Sequence, residues 1–224
     1  MGETIKLTSA DGFELSAYQA APAGAQKGCV LVIQEIFGVN QHIREVCDGY
    51  AADGYLAVAP AIFDRVEPGI ELTYEGDDMT RGMELAFKQL EMPNTLADLQ
   101  AGIDYLGKQG KVGAVGYCFG GLLAWLCAAN ATGLACVSGY YGGGIGGVKE
   151  QQPTVPTILH FGELDAHIPI TEVEAIAAAQ PDVTVHVYKA DHGFNCDHRG
   201  SYDQAAAKQA RERTLAHFAQ HLAA

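Results

Sequence analysis

The stretch Val112-Gly-Ala-Val-Gly-Tyr-Cys118-Phe-Gly-Gly-Leu-Leu123 decides the fold. An apolar run with β-branched residues opens it, and an apolar, alanine-rich segment over residues 122–129 continues it. This pattern predicts a strand, a tight turn and a helix. Cys118 stands at the centre of a Gly-x-nucleophile-x-Gly turn, in which the strand and helix backbones approach closely and small residues are needed. Gly116 and Gly120 meet that need.

The turn would place the Cys118 sulfur at the N-terminus of the following helix. Unpaired backbone N–H groups and the helix dipole favour a negative charge there, so we expect the thiolate to form more readily than in a free cysteine. The same five residues also fit a structural turn with a buried cysteine, since cysteine commonly packs as a small hydrophobe. The choice between the two interpretations depends on the rest of the chain.

Other apolar runs with strand character recur along the chain, at residues 29–33, 55–59, 134–140, 157–161 and 183–188. Helical patterns separate them, and a hairpin around Asp11-Gly12 precedes them. Strands that alternate with helices predict an α/β fold, with a mostly parallel sheet covered by helices on both faces. At 224 residues, 48% of them hydrophobic, the chain can bury a large core, and we expect a single domain over residues 1–224.

Two segments have less regular patterns than these strands and helices. Residues 64–76 contain a proline, two glycines and several charges without a period, which predicts a loop over the site. The glycine-rich residues 141–147 predict a mobile loop. The last helix is expected from Ser201, which forms a capping box with Gln204.

Composition and charge narrow the classes of function. The formal charge is −13, from 14 Lys and Arg against 27 Asp and Glu, which argues against nucleic acid or an anionic membrane as a partner. No stretch approaches the ~20 apolar residues that span a bilayer, and the N-terminus lacks the pattern of a signal peptide. The six cysteines include no C-x-x-C pair, as in proteins with reduced thiols. We expect a soluble, cytoplasmic protein, and nothing in the sequence predicts its oligomeric state.

Polar residues follow directly after several predicted strands, where parallel sheets bind ligands. They are Glu35, Cys118, Asp165 and His192. The last three occur in the chain order nucleophile, acid, base, which is the order of the α/β-hydrolase fold and differs from those of chymotrypsin-like and subtilisin-like enzymes. We therefore predict an α/β-hydrolase fold with a Cys-His-Asp triad.

Alternatives for these residues stay open at this point. Asp165 could cap the following helix, and His192 could be a surface loop residue. His167 could compete with His192 as the base, although it shares a loop with the proposed acid. The spacing of His192, Cys196 and His198 would also allow a metal site, but no second Cys/His pair accompanies it.

A set of motifs spans the chain: Gln34-Glu-Ile-Phe-Gly-Val-Asn40, Ile43-Arg-Glu45, Gly116-Tyr-Cys-Phe-Gly-Gly121, the loop around Asp165, His192-Gly-Phe194 and Glu212-Arg-Thr-Leu215. This set resembles the dienelactone hydrolase (carboxymethylenebutenolidase) family. The resemblance covers the chain from about residue 3 to about residue 220. It implies a hydrolase of small-molecule esters or lactones that uses neither a metal nor an organic cofactor.

The resemblance also implies roles for individual residues. Cys118 is the nucleophile, His192 is the general base and later the acid, and Asp165 orients the imidazole. Glu35 matches the family glutamate that exchanges hydrogen-bond partners and takes the thiol proton as substrate enters. A carboxylate beside a thiol also disfavours a second negative charge, which would keep the thiol neutral and resistant to oxidation until then. The oxyanion hole is expected at the backbone N–H groups of Ile36 and Phe119.

The residues that would bind a charged substrate match the family less completely. Members that hydrolyse dienelactone hold its carboxylate with arginines, one of them four residues after the triad histidine; that position is Cys196 here, and Arg199 is the nearest arginine. The other arginine would fall near Arg81, so Arg81 and Arg199 are the candidate substrate-binding residues. Alternatively, Glu35 could be a structural carboxylate bonded to Arg44 or Arg199.

We expect a preference for neutral, activated esters or lactones, which react through a thioester, because one arm of the charged clamp is missing. Hydrolysis of a neutral phosphotriester is a plausible secondary activity, since its P=O oxygen accepts the same two N–H bonds. Two alternatives remain. One is a true dienelactone hydrolase of aromatic degradation, and the other is a non-catalytic ligand-binding or redox-sensing protein of the same fold.

Overall fold

The computed structural model describes residues 2–223. Eight strands form one sheet in the order β1-β2-β4-β3-β5-β6-β7-β8. Their bounds are β1 Glu3–Thr8, β2 Glu14–Ala20, β3 Cys29–Ile33, β4 Leu56–Pro60, β5 Val112–Tyr117, β6 Leu134–Tyr140, β7 Thr157–Gly162 and β8 Thr184–Tyr188. The hairpin strands β1 and β2 pair antiparallel, as do β2 and β4, whereas the remaining neighbours are parallel. The predicted mostly parallel sheet is confirmed.

Seven α-helices connect and flank the strands: α1 Gln41–Ala52, α2 Asp78–Glu84, α3 Met92–Gly107, α4 Phe119–Asn130, α5 Ile145–Val148, α6 Ile170–Ala179 and α7 Gln204–Leu222. A 3₁₀ turn covers Ile62–Arg65, and a π-helical turn, Leu85–Gln89, extends α2. No helix within residues 2–223 is long and apolar enough to cross a membrane.

The helices cover both faces of the sheet. Helices α1 and α7 share one face, where the Phe218 ring lies 5.9 Å from that of Tyr50. Helices α3 and α4 pack together on the other face. Every residue of β3, β4 and β5 is buried between these layers. This burial on both faces explains why the sequences of these strands are continuous apolar runs rather than alternating patterns.

Local capping decides where helices begin. Asn40 caps α1, because its side chain accepts a hydrogen bond from the Ile43 N–H at 3.2 Å. The predicted capping box of Ser201 and Gln204 is wrong. Helix α7 begins at Gln204, and the Asp203 carboxylate accepts from the Ala206 N–H at 2.8 Å. Aspartate is as good a cap as serine and stands directly before the first helical residue, so it replaces the predicted box.

The segments with weak patterns also differ in part from the predictions. Residues 141–147, predicted as a loop, include the start of α5. Ile145 and Tyr141 are fully buried, so this segment is packed against the core. Residues 64–76 are mostly irregular, as predicted, and one isolated bridge joins Glu71 to Gly38. This bridge holds the segment beside the loop that follows β3.

Candidate active site

The turn between β5 and α4 holds Cys118 in a strained backbone conformation. Its φ of 55° and ψ of −118° lie where L-residues are uncommon. A Cβ atom at Gly116 would collide with the carbonyl oxygen of Gly120, and one at Gly120 would collide with that of Ile33. The two glycines are therefore needed for the turn to close, which is the reason the sequence pattern predicts it.

His192 and Asp165 meet beside this turn. The His192 Nδ1 atom lies 2.7 Å from Asp165 Oδ2, and both residues are buried. The other oxygen, Oδ1, accepts from the backbone N–H groups of His167 and Ile168 at 2.8 and 3.2 Å. Asp165 thus fixes its own loop and contacts the imidazole at once. It does not cap the following helix, because the N-cap residue of α6 is Pro169. The geometry leaves His192 Nε2 for Cys118.

Charges in this group favour a protonated imidazole. Burial by itself lowers the pKa of His192, but its hydrogen bonds with Asp165 and Cys118 outweigh burial and raise the pKa to about 10. Burial also raises the pKa of Asp165, yet the hydrogen bonds from His192 and from two backbone N–H groups lower it overall. A carboxylate beside an imidazolium is the charge pattern that these hydrogen bonds support.

The two residues of the predicted oxyanion hole lie at the same cleft. Ile36 and Phe119 both line the cleft above Cys118. Phe119 is the first residue of α4, so its N–H has no partner within the helix. Among the loop and turn hydrogen bonds of residues 2–223, neither N–H is a donor. Helix α2 packs on the Ile36 loop so closely that a Cβ atom at Gly82 would collide with the Ile36 carbonyl oxygen.

Glu35 lies fully buried behind the cleft. Its Oε2 atom accepts from the Tyr74 hydroxyl at 2.8 Å, and Arg199 Nη1 lies 3.8 Å from its Oε1 atom. Oε1 has no hydrogen-bond partner within the described chain. Arg44 pairs instead with Glu71 at 2.6 Å. Of the two arginines considered as partners of Glu35, only Arg199 lies beside it.

The cleft itself has a volume of about 270 Å³. It is lined by Ile36, Phe37, Met79, Met83, Phe87, Cys118, Phe119, Gly143, His167, His192 and Arg199. Most of these side chains are apolar. The sequence reasoning missed Met79, Met83 and Phe87, which belong to α2 and its π-helical extension, and it missed Tyr74.

The other candidates are placed differently. Arg81 does not line the cleft, because its guanidinium pairs with Glu67 at 2.6 Å. The His167 ring stands edge-on to His192 with centroids 5.5 Å apart, and only its backbone N–H bonds to Asp165. The metal site considered for His192, Cys196 and His198 is not among the clusters of potential ligands found in residues 2–223.

Comparisons with known proteins agree with this geometry. A sequence profile of the dienelactone hydrolase family matches residues 15–222. The carboxymethylenebutenolidase of Pseudomonas putida is 35% identical over 223 residues, which is 95% of this chain and 94% of that protein. A crystal structure of a candidate dienelactone hydrolase from Klebsiella pneumoniae is 30% identical, with a TM-score of 0.86 over 98% of this chain and 99% of that one.

A more distant structure has the same fold. It is a dienelactone hydrolase-like promiscuous phosphotriesterase from metagenomic libraries, 19% identical, with a TM-score of 0.78 over 99% of both chains. Profile, relatives and structures all cover nearly the whole chain, and the predicted α/β-hydrolase fold is confirmed. The chain therefore belongs to the dienelactone hydrolase family and is a hydrolase of that type.

Proposed function

We propose that this chain hydrolyses neutral, activated esters or lactones, with Cys118 as the nucleophile and a thioester as the intermediate. The observation that carries the proposal is the position of Cys118. It lies in a strained turn at the helix N-terminus, beside the hydrogen-bonded His192–Asp165 pair and under an apolar cleft. All of these groups come from one sheet edge, so we also propose that residues 1–224 act as one domain.

In the first half of the reaction, the Cys118 thiolate attacks the substrate carbonyl carbon and forms a C–S bond. The carbonyl oxygen gains the negative charge and accepts hydrogen bonds from the N–H groups of Ile36 and Phe119. The tetrahedral intermediate then expels the alkoxide or phenoxide, which takes the proton of the His192 imidazolium and leaves the imidazole neutral. A thioester remains on Cys118.

In the second half, neutral His192 removes a proton from water, which attacks the thioester carbonyl. The same two N–H groups stabilise the second oxyanion. The C–S bond breaks, the carboxylic acid product leaves, and Cys118 and His192 return to their starting pair. Asp165 keeps the imidazole in one orientation and stabilises its charge throughout.

Glu35 would control when the thiolate forms. Its buried carboxylate, held by Tyr74 and close to Arg199, disfavours a second negative charge nearby. Entering substrate would change its partners and let it take the thiol proton. The alternative is a purely structural carboxylate held by Arg199, and the two are separated by the reactivity of Cys118 when Glu35 is changed.

The walls of the cleft support a neutral substrate. Met79, Met83 and Phe87 offer apolar contacts, and Arg81 is engaged with Glu67 outside the cleft. A carboxylate that loses one arm of a two-arginine clamp loses about 1–3 kcal/mol of binding, whereas a neutral ester loses nothing. A neutral phosphotriester fits the same N–H groups, and the metagenomic phosphotriesterase shows that this fold is compatible with that activity.

A true dienelactone hydrolase is the second candidate function. The observation that favours it is Arg199, which lines the cleft and can meet a substrate carboxylate there. The Pseudomonas putida relative bears the name of that activity.

The experiment compares kcat/KM for a neutral aryl ester, its carboxylate-bearing analogue, a phosphotriester and dienelactone, each with the wild type and with Arg199→Gln. We expect the neutral aryl ester to be the best substrate and to be affected little by Arg199→Gln. A preference for the two carboxylate-bearing substrates that Arg199→Gln removes would contradict the neutral-ester proposal and establish the dienelactone hydrolase.

A further inference from the structure

Three potential metal ligands meet behind the cleft. A Glu35 carboxylate oxygen, a His42 ring nitrogen and the Cys196 sulfur all lie within 4.8 Å of one another. The residues are 0%, 3% and 0% exposed. They come from the loop after β3, from α1 and from the loop after His192, so the fold rather than a local motif brings them together. Oxygen, nitrogen and sulfur donors of these types are the ones that bind Zn²⁺ in proteins.

Two of these side chains carry a buried atom without a partner. Glu35 Oε1 and His42 Nε2 are buried and make no hydrogen bond within residues 2–223. Buried polar atoms without a partner are rare in native proteins and indicate a water or an ion. Here the unpartnered oxygen and the unpartnered nitrogen belong to two side chains of the same cluster, whose third member is Cys196.

The opposite ends of both side chains are held in the way that metal ligands are. His42 Nδ1 lies 3.4 Å from Asp197 Oδ1. A histidine that binds a metal through one nitrogen usually donates from the other to a carboxylate, which fixes its orientation. Glu35 is similarly fixed, because its Oε2 atom accepts from the Tyr74 hydroxyl. Each of the two side chains therefore keeps one atom that makes no hydrogen bond within residues 2–223.

The distances between the three ligand atoms leave room for an ion. Zn²⁺ lies about 2.0–2.3 Å from such ligands, so ligand atoms up to 4.8 Å apart need to move inward by less than about 1 Å. His42 also borders two surface grooves, one with Asp197 and Arg211 and the other with Asn40 and His198, so one member of the cluster lies beside solvent-filled space.

Two features oppose an ion, and both can be overcome. Arg199 lies 3.8 Å from Glu35 Oε1, and its positive charge repels a cation. Burial, followed by the Glu35 charge, raises the pKa of the Cys196 thiol to about 12, so the thiol holds its proton when no metal is present. A metal that binds must displace this proton, as it does at other cysteine sites, and the resulting Zn–S bond replaces the S–H bond.

We propose that Glu35, His42 and Cys196 form a binding site for Zn²⁺ or a similar transition-metal ion, distinct from the Cys118, His192 and Asp165 group. Binding forms one bond from each residue to the ion and releases the Cys196 thiol proton to solvent. The hydrolysis itself needs no such ion. An ion at this site immobilises Glu35 and prevents the exchange of partners that frees Cys118, so occupancy inhibits the enzyme; this consequence rests on the proposed function of Glu35.

The first experiment measures binding with Co²⁺ as the probe, because a thiolate bound to Co²⁺ gives a charge-transfer absorption band. We expect one Co²⁺ per chain and a band of this kind in the wild type and in Cys136→Ala, which removes another buried thiol of similarly raised pKa. Cys196→Ala should lose the band. His42→Gln, an independent variant should Cys196→Ala fold poorly, should weaken Co²⁺ binding at least about tenfold.

Three outcomes of the binding experiment would overturn the site. The wild type could show no band. The band could disappear in Cys118→Ala rather than in Cys196→Ala, which would assign the metal to the nucleophile. Co²⁺ could bind without a thiolate band and unchanged by Cys196→Ala, which would assign it to the more exposed cluster of His42, Asp197 and His198.

The second experiment measures inhibition of ester hydrolysis by Zn²⁺ after treatment with a chelator. We expect inhibition that a chelator reverses, and at least about tenfold more Zn²⁺ should be needed for it in Cys196→Ala. Equal inhibition of the two proteins would overturn the inhibitory role and assign it to Cys118. The cobalt spectrum does not depend on catalysis, so a failure of the proposed function leaves the metal site separately testable.

Discussion

The two walls of the cleft are built in different ways. One wall is the edge of the sheet, where Cys118, Asp165 and His192 follow strands and are held by backbone strain and hydrogen bonds. The other is α2 with its π-helical extension, where Met83 and Phe87 are 51% and 59% exposed. The Phe87 ring packs edge-on against Phe119 at 5.3 Å. The first wall therefore has fixed geometry suited to chemistry, and the second offers adaptable apolar contacts suited to substrate fit.

The largest effect is expected when the proposed nucleophile is removed from the first, rigid wall. Cys118→Ala should lower kcat/KM for a neutral aryl ester by about 10⁴-fold or more, because no other group in the cleft can form the thioester. Cys127→Ala is the matched control, a buried cysteine of the same helix α4, and should retain most activity. If Cys118→Ala remains active while folded, the rigid wall does not carry the chemistry.

Asp165→Asn tests whether the Asp165 carboxylate keeps the His192 ring protonated. We expect kcat/KM to fall by about 10²- to 10⁴-fold, since an amide neither stabilises the imidazolium nor holds the same tautomer. Because the carboxylate is one of the two groups, with Cys118, that outweigh burial and raise the pKa of His192 to about 10, its loss should move the titration of the ring to lower pH.

Nuclear magnetic resonance of the His192 ring protons across pH measures this shift. Asp191→Asn is the control, because Asp191 accepts only from the His192 backbone N–H. A His192 pKa that stays unchanged in Asp165→Asn would contradict the role assigned to the Asp165 carboxylate.

Glu35→Gln tests whether the carboxylate buried behind the cleft controls the state of the Cys118 thiol. If the Glu35 charge disfavours the thiolate, its removal should speed the reaction of Cys118 with iodoacetamide by about three- to tenfold at neutral and lower pH. The rate of alkylation against pH measures this effect. Glu67→Gln, a change at an exposed glutamate paired with Arg81, should leave the profile unchanged. Identical profiles for Glu35→Gln and wild type would leave Glu35 a structural residue.

The smallest effect is expected in the adaptable wall. Phe87→Ala should raise KM for an aryl ester by about two- to tenfold with little change in kcat, since a half-exposed apolar contact binds substrate and transition state alike. Val187→Ala, at an exposed apolar residue outside the cleft, is the control. A large fall in kcat for Phe87→Ala would show that the second wall also takes part in the chemistry.

The same difference between the two walls explains which parts of the fold and the site the sequence predicts. Strands such as β3 and β5 are buried on both faces, so their apolar runs mark them directly. Parallel strands end at one edge, so Asp165 and His192 could be placed near Cys118 from their positions after strands alone. Backbone strain at Cys118 needs Gly116 and Gly120, which makes the turn visible as a motif.

The second wall has no comparable signal in the amino-acid sequence. Tyr74 reaches Glu35 only because an irregular segment is held beside the loop after β3 by the Gly38–Glu71 bridge. The contact of α2 with the Ile36 loop depends on the absence of a side chain at Gly82, which no periodicity shows. For the same reason the sequence did not show that Arg81 would pair with Glu67 outside the cleft.

The central claim is that hydrolysis proceeds through a thioester on Cys118. The most direct test mixes the wild type with a neutral aryl ester, quenches with acid during the first turnover and measures the masses of the digested peptides. We predict a burst of phenol and, at the same time, the mass of one acyl group on the peptide that contains Cys118. Continued phenol release with no acyl group on that peptide, or with the acyl group on another residue, would contradict the account.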